Sequence, residues 1–331
     1  MFSVVIACRN DAKRLETCLQ ALAGSSHLFG ECIVVDDAST DDSVRVAKEH
    51  GAEVVVCGIR GGPAKARNIG ARRAKCDVLL FLDADVRIHS GAIQRLADHF
   101  AADPALDAVI GSYDESPAHP SFLSQYRNLL HCFTHQQGRR EASTFWCGCG
   151  AVRRSSFWRL GGLPENYDRP SIEDIDFGHR LVAAGGRILL DPDVQVQHLK
   201  RWTLAGMLRT DIFDRGIPWT RLILSSRGMP DDLSVRWNQR ASVALAFASV
   251  FAAAAGRPLI ALLPALAVAA VNHRFYGFLI ARRGLWFAVR ALPVHFLYFL
   301  YSGVAFGLGL AGHLVASFRG TPVPAIKSSV E

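Results

Sequence analysis

The chain has 331 residues, of which 50% are hydrophobic, and a formal net charge of +7 at pH 7. The charge is unevenly placed, because residues 238–331 contain eight Lys or Arg residues and one acid, Glu331, whereas residues 1–237 are neutral overall. These basic residues flank long apolar runs, which is typical of membrane anchors and not of contacts to a phosphate backbone. The composition therefore argues against a nucleic-acid partner and for contact with a membrane bilayer.

The eight cysteines are scattered, and only Cys147 and Cys149 form a close pair. A zinc site requires paired ligands at finger-like spacing, and a disulfide scaffold would be shorter and denser in cysteine. We therefore expect reduced cysteines in the core of a cytosolic domain. The first ten residues lack the basic start and the cleavage site of a signal peptide, so the N-terminus is expected to stay in the cytosol.

The first hundred residues alternate between the patterns of strands and helices. Strands are predicted at 2–8, 32–37, 52–58 and 78–85, and helices at 11–22, 39–50 and 64–74. Strict alternation predicts an α/β fold with a Rossmann-like, mostly parallel sheet that is covered by helices on both faces. This architecture is typical of nucleotide-binding domains.

The pattern continues less regularly up to residue 202. It predicts a helix ending at Phe100, a strand at 107–113, an amphipathic helix at 120–137, a glycine-rich turn at 160–167, a helix at 173–186 that Gly185 closes, and a strand at 187–198. No internal repeat is visible. We expect residues 1–202 to form one domain.

The character of the chain changes after Trp202. Residues 203–224 mix apolar residues with arginines at helical spacing, which suits interfacial helices over 203–237 that lie along a bilayer surface. Residues 241–255 and 258–271 are uncharged but short for a membrane span, and residues 291–312 have full spanning length. The first two runs form either a tight hairpin or one long broken helix, so 238–331 is predicted to hold two or three transmembrane helices.

The basic residues favour three spans. With three spans, Arg274, Arg282 and Arg283 lie on the cytosolic side, as the positive-inside rule requires, and with two spans they lie outside. Buried helices of a soluble domain are the alternative, and the near absence of acids over ninety residues argues against them. We therefore expect a multi-pass protein of the cell (inner) membrane with its N-terminal domain on the cytoplasmic face.

Two carboxylates, Asp83 and Asp85, follow the apolar run of the fourth predicted strand. Open α/β sheets bind their ligands at the carboxyl ends of the strands. Carboxylates at positions i and i+2 can hold a hard divalent cation whose remaining ligands are phosphate oxygens. Alone, this DxD signal is weak, because aspartates at strand ends also cap the following loop.

Three further segments accompany the DxD pair in a fixed order. They are the strand-end acids Asp36 and Asp37, the segment GGPAKARNIGA with Arg67 and Asn68, and the segment PSIEDIDFGHR with Glu173 and Asp174. With the opening VVIACRN, these segments resemble the inverting GT-A glycosyltransferases of family 2, including membrane-anchored members related to polyprenyl-phosphate sugar synthases. The resemblance extends from Phe2 to Trp202.

The resemblance implies a donor site at the edge of the sheet. Ala7 and Asp37 would meet the nucleotide base, with Asp37 accepting the imide N–H of that base. Arg67 would approach the base or the phosphates, Asp83 the ribose or the metal, and Asp85 the metal, which is Mn²⁺ or Mg²⁺. The diphosphate would complete the coordination shell, and the charge of the leaving group would be neutralised. From the residues alone, Asp37 could instead cap a helix, and Arg67 could be a solvated arginine.

The resemblance also implies the catalytic residues. Asp174 would be the general base that removes the proton of the acceptor hydroxyl during in-line attack on the anomeric carbon, and Glu173 would orient the acceptor or the base. A helix N-terminus keeps such a carboxylate ionised. The alternative is that both acids are ordinary first-turn residues that stabilise the helix dipole.

The segment VQHLKRW departs from the pattern of the processive polysaccharide synthases, which carry Gln-x-x-Arg-Trp here. The glutamine is replaced, which leaves His198, Arg201 and Trp202. The resemblance implies that His198 completes the metal shell, although a satisfied strand-end histidine is nearly as good an interpretation. Arg201 and Trp202 would line the acceptor site. The missing glutamine and the few spans argue against polymer extrusion and for the transfer of a single sugar.

The expected function is transfer of one sugar from a nucleotide-diphosphate sugar, most commonly a UDP-sugar in this family, to a lipid or glycolipid acceptor with inversion. A polyprenyl phosphate acceptor is already ionised and would need little help from Asp174. A Rossmann dehydrogenase would need glycines after the first strand, and a nucleotidyltransferase would need a glycine-rich loop with an arginine there. The segment VVIACRNDAK has no glycine, which argues against both enzymes. The remaining alternative is a non-catalytic nucleotide-binding membrane module, which would be expected to lose these acids.

Overall fold

The computed structural model describes residues 1–167, 169–225 and 236–318. The chain divides into two compact units, and the boundary falls between Arg201 and Trp202. Parts of two predicted segments, residues 226–235 of the interfacial segment and 319–331 of the tail, lie outside the described residues.

The first unit is built on a nine-stranded sheet with helices packed against it. Its strands are β1 Phe2–Cys8, β2 Phe29–Asp36, β3 Glu53–Val56, β4 Val78–Asp83, β5 Val86–Ile88, β6 Ala108–Tyr113, β7 Glu141–Ala142, β8 Cys149–Arg153 and β9 Ile188–His198. Its α-helices are α1 Ala12–Ala23, α2 Ser43–Glu49, α3 Pro63–Arg73, α4 Ala92–Ala102, α5 Phe122–Gln136, α6 Arg154–Arg159 and α7 Glu173–Ala183, and a short 3-10 helix spans Ser26–Leu28.

The sheet is mixed, with the strand order β3-β2-β1-β4-β8-β6-β9-β5 and with β7 paired to β9. Strands β1 to β4 are parallel to one another, as the alternation of strands and helices predicts. Strand β8 then runs antiparallel to both β4 and β6, whereas β9 is parallel to β6. The sheet therefore combines a parallel half, β1 to β4, with a second half of mixed direction.

The core lies between the sheet and its helices. Strand β1 buries Val4, Val5 and Ile6 completely, which is expected for a strand covered on both faces. Helix α1 turns the predicted apolar face, made of Leu15, Cys18, Leu19 and Leu22, to the interior. All eight cysteines are free thiols, and five of them are buried.

Short elements of the first unit do not appear in the sequence pattern. Strand β5 has three residues, strand β7 has two, and helix α6 has six. Each is shorter than the stretch over which a hydrophobic period can be recognised, so the sequence pattern does not reveal it.

The second unit is helical over its described residues. Its elements are α8 Leu204–Arg209, a π-helical segment Thr210–Gly216, α9 Ile217–Ser225, α10 Trp237–Ala254, α11 Pro258–Val271, α12 His273–Arg283 and α13 Leu285–Phe318. Helices α10 and α11 form a hairpin, the first of the two arrangements that the sequence allows. Asn272 Nδ2 donates to Ser242 Oγ at 2.8 Å, and Ser249 Oγ donates to the carbonyl oxygen of Ala261 at 2.8 Å.

One described helix, α13, is long and apolar enough to cross a membrane. Helices α11 and α12 meet the same criterion only when taken together, and they are bent by 65° at the break between them. By length and composition the described residues therefore offer one spanning helix, or up to two.

Candidate active site

The carboxyl ends of β1, β2 and β4 lie side by side at one edge of the sheet. In the parallel register, Ala7 on β1 pairs with Val35 on β2 and with Asp83 on β4. Asp37 follows β2 directly, and its N–H donates to the carbonyl oxygen of Cys8 at 2.9 Å. Three of the residues predicted to bind the nucleotide, Ala7, Asp37 and Asp83, therefore lie along the same edge.

Arg67 joins this edge to the N-terminus of α7. It lies on α3 and is only 7% exposed, so it is not a solvated arginine. Its Nη2 donates to Asp83 Oδ1 at 2.7 Å, and its Nη1 donates to Glu173 Oε1 at 2.9 Å. Burial alone would lower the pKa of Arg67, but the acidic groups around it outweigh that effect and raise the pKa. Arg67 is thus a permanently charged link between two acids that are far apart in the sequence.

Both carboxylate oxygens of Glu173 accept hydrogen bonds from neighbouring groups. It is 4% exposed, and its second oxygen, Oε2, accepts the N–H of Ser171 at 2.8 Å. Its two oxygens therefore hold Arg67 on one side and the loop before α7 on the other.

Asp37 holds the loop that precedes α3. Its Oδ1 accepts the N–H of Gly61 at 2.6 Å, and its Oδ2 accepts the N–H of Gly62 at 3.0 Å. Gly62 has a φ of 85°, a conformation that glycine adopts without strain. These bonds go to the loop before α3 and not to the turn after β2, where the N–H of Ser39 donates to Asp36 Oδ2. Each carboxylate oxygen of Asp37 keeps a second lone pair that can accept the N–H of a base.

Asp85 and His198 face each other across neighbouring strands. Strand β5 pairs antiparallel with β9 so that Val86 lies opposite His198, and this brings Asp85 Oδ2 to 3.5 Å from His198 Nε2. The other ring nitrogen, Nδ1, donates its N–H to Asn128 Oδ1 on α5 at 2.6 Å. The imidazole also stacks on Tyr113, with 4.5 Å between the ring centroids. The orientation of His198 is thereby fixed with Nε2 towards Asp85.

The chemistry of this pair fits a divalent cation of the Mn²⁺ or Mg²⁺ type. Adjacent ligand atoms in an octahedral shell at about 2.1 Å from the ion lie about 3 Å apart. The 3.5 Å between Asp85 Oδ2 and His198 Nε2 needs only a small adjustment to meet that spacing. Histidines that bind metals commonly donate their other N–H to an oxygen, as His198 does to Asn128.

Oδ1 of Asp83 accepts a hydrogen bond from Arg67. Within the described ranges, no three His, Cys, Asp or Glu side chains are grouped so that they could hold a metal ion together. The predicted set of Asp83, Asp85 and His198 is therefore not assembled as three ligands. Two protein ligands leave most of a coordination shell to the oxygens of another molecule.

Basic side chains lie around Asp85. Burial alone would raise its pKa, but His198, Lys200 and Arg14 outweigh that effect and hold the pKa of Asp85 well below its usual range. Nη1 of Arg14, on α1, lies 3.9 Å from Asp85 Oδ2. Asp85 is therefore ionised at any physiological pH, as a metal ligand must be.

Asp174 lies in the first turn of α7, beside Glu173. Its Oδ2 accepts the N–H of Cys147 at 3.1 Å, and its Oδ1 accepts the N–H of Ile175 at 2.9 Å. Both hydrogen bonds are donated by backbone N–H groups, which hold the carboxylate at the start of the helix. Asp174 is partly exposed, whereas Glu173 is buried, so Asp174 is the acid of the pair that a ligand can reach.

Helix α7 approaches the segment before β8 closely because Gly178 has no side chain. A Cβ at Gly178 would collide with the backbone of Thr144 and Phe145. This close approach brings Asp174 to the N–H of Cys147. Burial raises the pKa of the Cys147 thiol well above its usual value, so Cys147 is not a nucleophile at neutral pH.

Three residues that support the site were not singled out for these roles by the sequence. Asn128 orients His198, Arg14 approaches Asp85, and Asn68 holds the loop before α7 by exchanging hydrogen bonds of 2.8 and 2.9 Å with the backbone of Leu163. Asn68 belongs to a quoted motif, which could have drawn attention to it. Asn128 and Arg14 lie in ordinary helical patterns that give no such signal.

The two residues predicted to line the acceptor site fall on either side of the unit boundary. Arg201 is exposed and ends the first unit, and Trp202 is buried and begins the second. Their role in binding an acceptor stays a prediction.

Comparison with known proteins agrees with this architecture. Residues 3–161 match the family described as Glycosyl transferase family 2. The chain is 31% identical over 227 residues to the pre-mycofactocin glycosyltransferase of Mycobacterium tuberculosis, covering 65% of this chain and 46% of that protein. It is 29% identical over 226 residues to the validoxylamine A glucosyltransferase of Streptomyces hygroscopicus, covering 56% of this chain and 52% of that protein.

The fold also resembles solved structures. A mannosyltransferase of Pyrobaculum calidifontis, solved in complex with GDP-Man and Mn²⁺, superimposes with a TM-score of 0.54 at 17% identity, covering 97% of this chain and 86% of that chain. The first unit therefore carries a family 2 glycosyltransferase domain with a GT-A-like fold, and the prediction of fold and family is confirmed. The chain spans about half the length of the two curated relatives named above.

Proposed function

We propose that the protein is a membrane-associated glycosyltransferase that moves one sugar from a nucleotide-diphosphate sugar to the hydroxyl of a lipid or glycan, with inversion. The observation that carries this proposal is the double ion pair of Arg67 with Asp83 and Glu173. These ion pairs connect the end of β4, where the donor is proposed to bind, with α7, the helix that carries Asp174. One cluster thus contains the groups proposed to bind the nucleotide and, in addition, a carboxylate suited to act as the base.

The donor lies, in this proposal, along the edge formed by Ala7, Asp37 and Asp83. The backbone at Ala7 and the carboxylate of Asp37 recognise the base, and Asp83 binds the ribose. Arg67 holds Asp83 in place and adds positive charge close to the phosphates. We favour a UDP-sugar as the donor.

Asp174 acts as the general base of the transfer. It takes the proton of the acceptor hydroxyl while that oxygen attacks the anomeric carbon from the side opposite the leaving diphosphate. The bond from the anomeric carbon to the diphosphate breaks as the new glycosidic bond forms, so the configuration inverts. Glu173 acts as a positioning residue through Arg67 and through Ser171.

Asp85 and His198 would hold Mn²⁺ or Mg²⁺, which would neutralise the charge of the departing diphosphate. The Mn²⁺ in the Pyrobaculum calidifontis structure, which has a similar fold, supports the choice of a divalent cation. Asn128 keeps His198 in the orientation in which Nε2 is available to a ligand. The site is then completed by oxygens of the donor.

The acceptor is proposed to be held at a membrane, with Arg201 and Trp202 lining its site. Apolar side chains such as Leu259 and Trp286 are 80% and 71% exposed in the second unit, as expected for contact with lipid. If α10, α11 and α13 all cross the bilayer, Arg257 at the hairpin tip lies on the far side. Arg274, Arg282 and Arg283 then lie on the cytoplasmic side, as the positive-inside rule requires.

The test is a screen of nucleotide sugars on the detergent-solubilised full chain, with total membrane lipid as acceptor and mass spectrometry of the product. We expect one donor to release its nucleoside diphosphate and to give a lipid that is heavier by one sugar. Asp85→Ala should abolish the metal-dependent release, whereas Asp98→Asn on the exposed face of α4 should not affect it. Nucleotide binding without release from any donor would instead identify a non-catalytic binding module.

A further inference from the structure

Arg14 is held in a fixed position beside the predicted metal ligand Asp85. Its Nε donates to Asp11 Oδ1 at 2.6 Å, and Asp11 precedes α1 as its N-cap residue. Its Nη1 lies 3.9 Å from Asp85 Oδ2, which is too far for a hydrogen bond. In the described part of the chain, neither Nη group of Arg14 makes a hydrogen bond. The guanidinium is therefore oriented by Asp11 and places Nη1 next to Asp85.

This arrangement is unfavourable for a metal ion alone. A divalent cation on Asp85 Oδ2 and the guanidinium of Arg14 would share one carboxylate as neighbour, so they would repel each other. Asp11 offsets part of the charge of Arg14, but it binds the Nε side of the guanidinium. An anion that contacts both the metal and the Nη groups would convert the repulsion into two attractions.

We propose that Arg14 binds the diphosphate of the donor and thereby makes metal binding and nucleotide binding depend on each other. The proposal rests on the proposed function, because it takes the nucleotide-diphosphate donor and the metal at Asp85 from it. The planar fork of a guanidinium suits two phosphate oxygens, and phosphate is the anion that the site is inferred to bind. Arg14 is then a substrate-binding residue that also stabilises the leaving diphosphate.

The proposal predicts opposite effects of one substitution on metal binding. In Arg14→Gln without nucleotide, Mn²⁺ binds at least as tightly as in the wild type, because a repulsive charge is gone. With UDP present, Mn²⁺ binds about ten- to a hundredfold more weakly than in the wild type, because a charge-assisted contact to the diphosphate is lost. A purely structural role for Arg14 would change both affinities in the same direction.

The measurement is a titration of the full-length protein in detergent with Mn²⁺, in which free Mn²⁺ is quantified by electron paramagnetic resonance. It is made without nucleotide and with saturating UDP, and it is repeated with GDP. Arg14→Lys keeps the charge but not the fork, so an intermediate loss is expected with UDP. Arg45→Gln is the matched control, since Arg45 is an exposed arginine paired with Asp42 and Glu49 on α2.

The possible results separate the two proposals. Equal Mn²⁺ affinity of the wild type and Arg14→Gln in the presence of UDP overturns the role of Arg14 and leaves the proposed function standing. The same holds if Arg14→Gln weakens Mn²⁺ binding equally with and without UDP. If the wild type binds neither nucleotide with Mn²⁺, the proposed function itself fails. Thermal unfolding of each variant checks that the fold is retained. If Arg14→Gln does not fold, the Mn²⁺ titrations of Arg14→Lys with and without UDP decide the role of Arg14.

Discussion

Replacement of Arg67 by methionine tests the connection on which the site depends. The substitution keeps an unbranched apolar stem and removes the charge that holds Asp83 and Glu173. Removing one partner of a buried ion pair typically costs about 3–5 kcal/mol, because the other charge is left buried without compensation. Glu173 is almost completely buried, whereas the side chain of Asp83 is 31% exposed and can be rehydrated. We therefore expect the lower end of that range, about 3 kcal/mol, with most of it due to Glu173.

Thermal unfolding of the full chain in detergent measures this loss. For a unit of this size, 1 kcal/mol shifts the melting temperature by about 2–4 °C, so Arg67→Met should lower it by roughly 6–12 °C. Glu173→Gln in the Arg67→Met background removes the uncompensated charge, and the double variant should recover part of the loss. A single variant that melts within about 2 °C of the wild type, or strictly additive effects in the double variant, would refute the reasoning.

Three further outcomes are expected. Gly178→Ala should destabilise the first unit and lower turnover, because the new Cβ meets the backbone of Phe145. The control is Gly277→Ala on α12, where nothing lies within 4 Å of the new Cβ. It should be neutral or slightly stabilising in the same melting assay. Asp191→Asn should cost about 2 kcal/mol at neutral pH, since hydrogen bonds from partners such as Arg95 outweigh burial and lower the pKa of Asp191 to about 2. Because the folded-state pKa of Asp191 lies below the ordinary value of 3.8, this contribution is present above about pH 4 and is lost as the pH falls through about 2. The difference in unfolding free energy between wild type and Asp191→Asn should therefore approach zero at the acidic end of this range. A difference that stays constant with pH would contradict this role of Asp191.

The parallel half of the sheet was predictable because each of its strands can be recognised from a short segment of the sequence. Each strand of β1 to β4 is an apolar run that is followed by a polar strand end, and parallel strands bring such ends to one edge. The positions of Asp37 and Asp83 follow from this rule alone. The antiparallel placement of β8 between β4 and β6 depends on pairing across distant segments, and no local pattern encodes it.

The partners of the site residues could not be predicted for a related reason. A buried arginine in two ion pairs and a solvated arginine at a helix surface have the same sequence signature, and only the fold shows that Arg67 is the first kind. Asn128 reaches His198 from 70 positions away, on a helix whose pattern only indicates amphipathicity. In the second unit, hydropathy indicated the apolar runs, but α12 was missed because its arginines interrupt the apolar pattern.

The central claim is that Asp174 serves as the base of a sugar transfer at a donor site built on the neighbouring strand ends. The most direct test compares wild type and Asp174→Asn for binding of the donor and for release of its nucleoside diphosphate, with a hydroxyl lipid and with polyprenyl phosphate as acceptors. If Asp174 is the base, Asp174→Asn binds the donor as the wild type does but no longer transfers sugar to the hydroxyl acceptor. Turnover near the wild-type rate in Asp174→Asn would contradict it, and such turnover confined to polyprenyl phosphate would identify the phosphate as the natural acceptor.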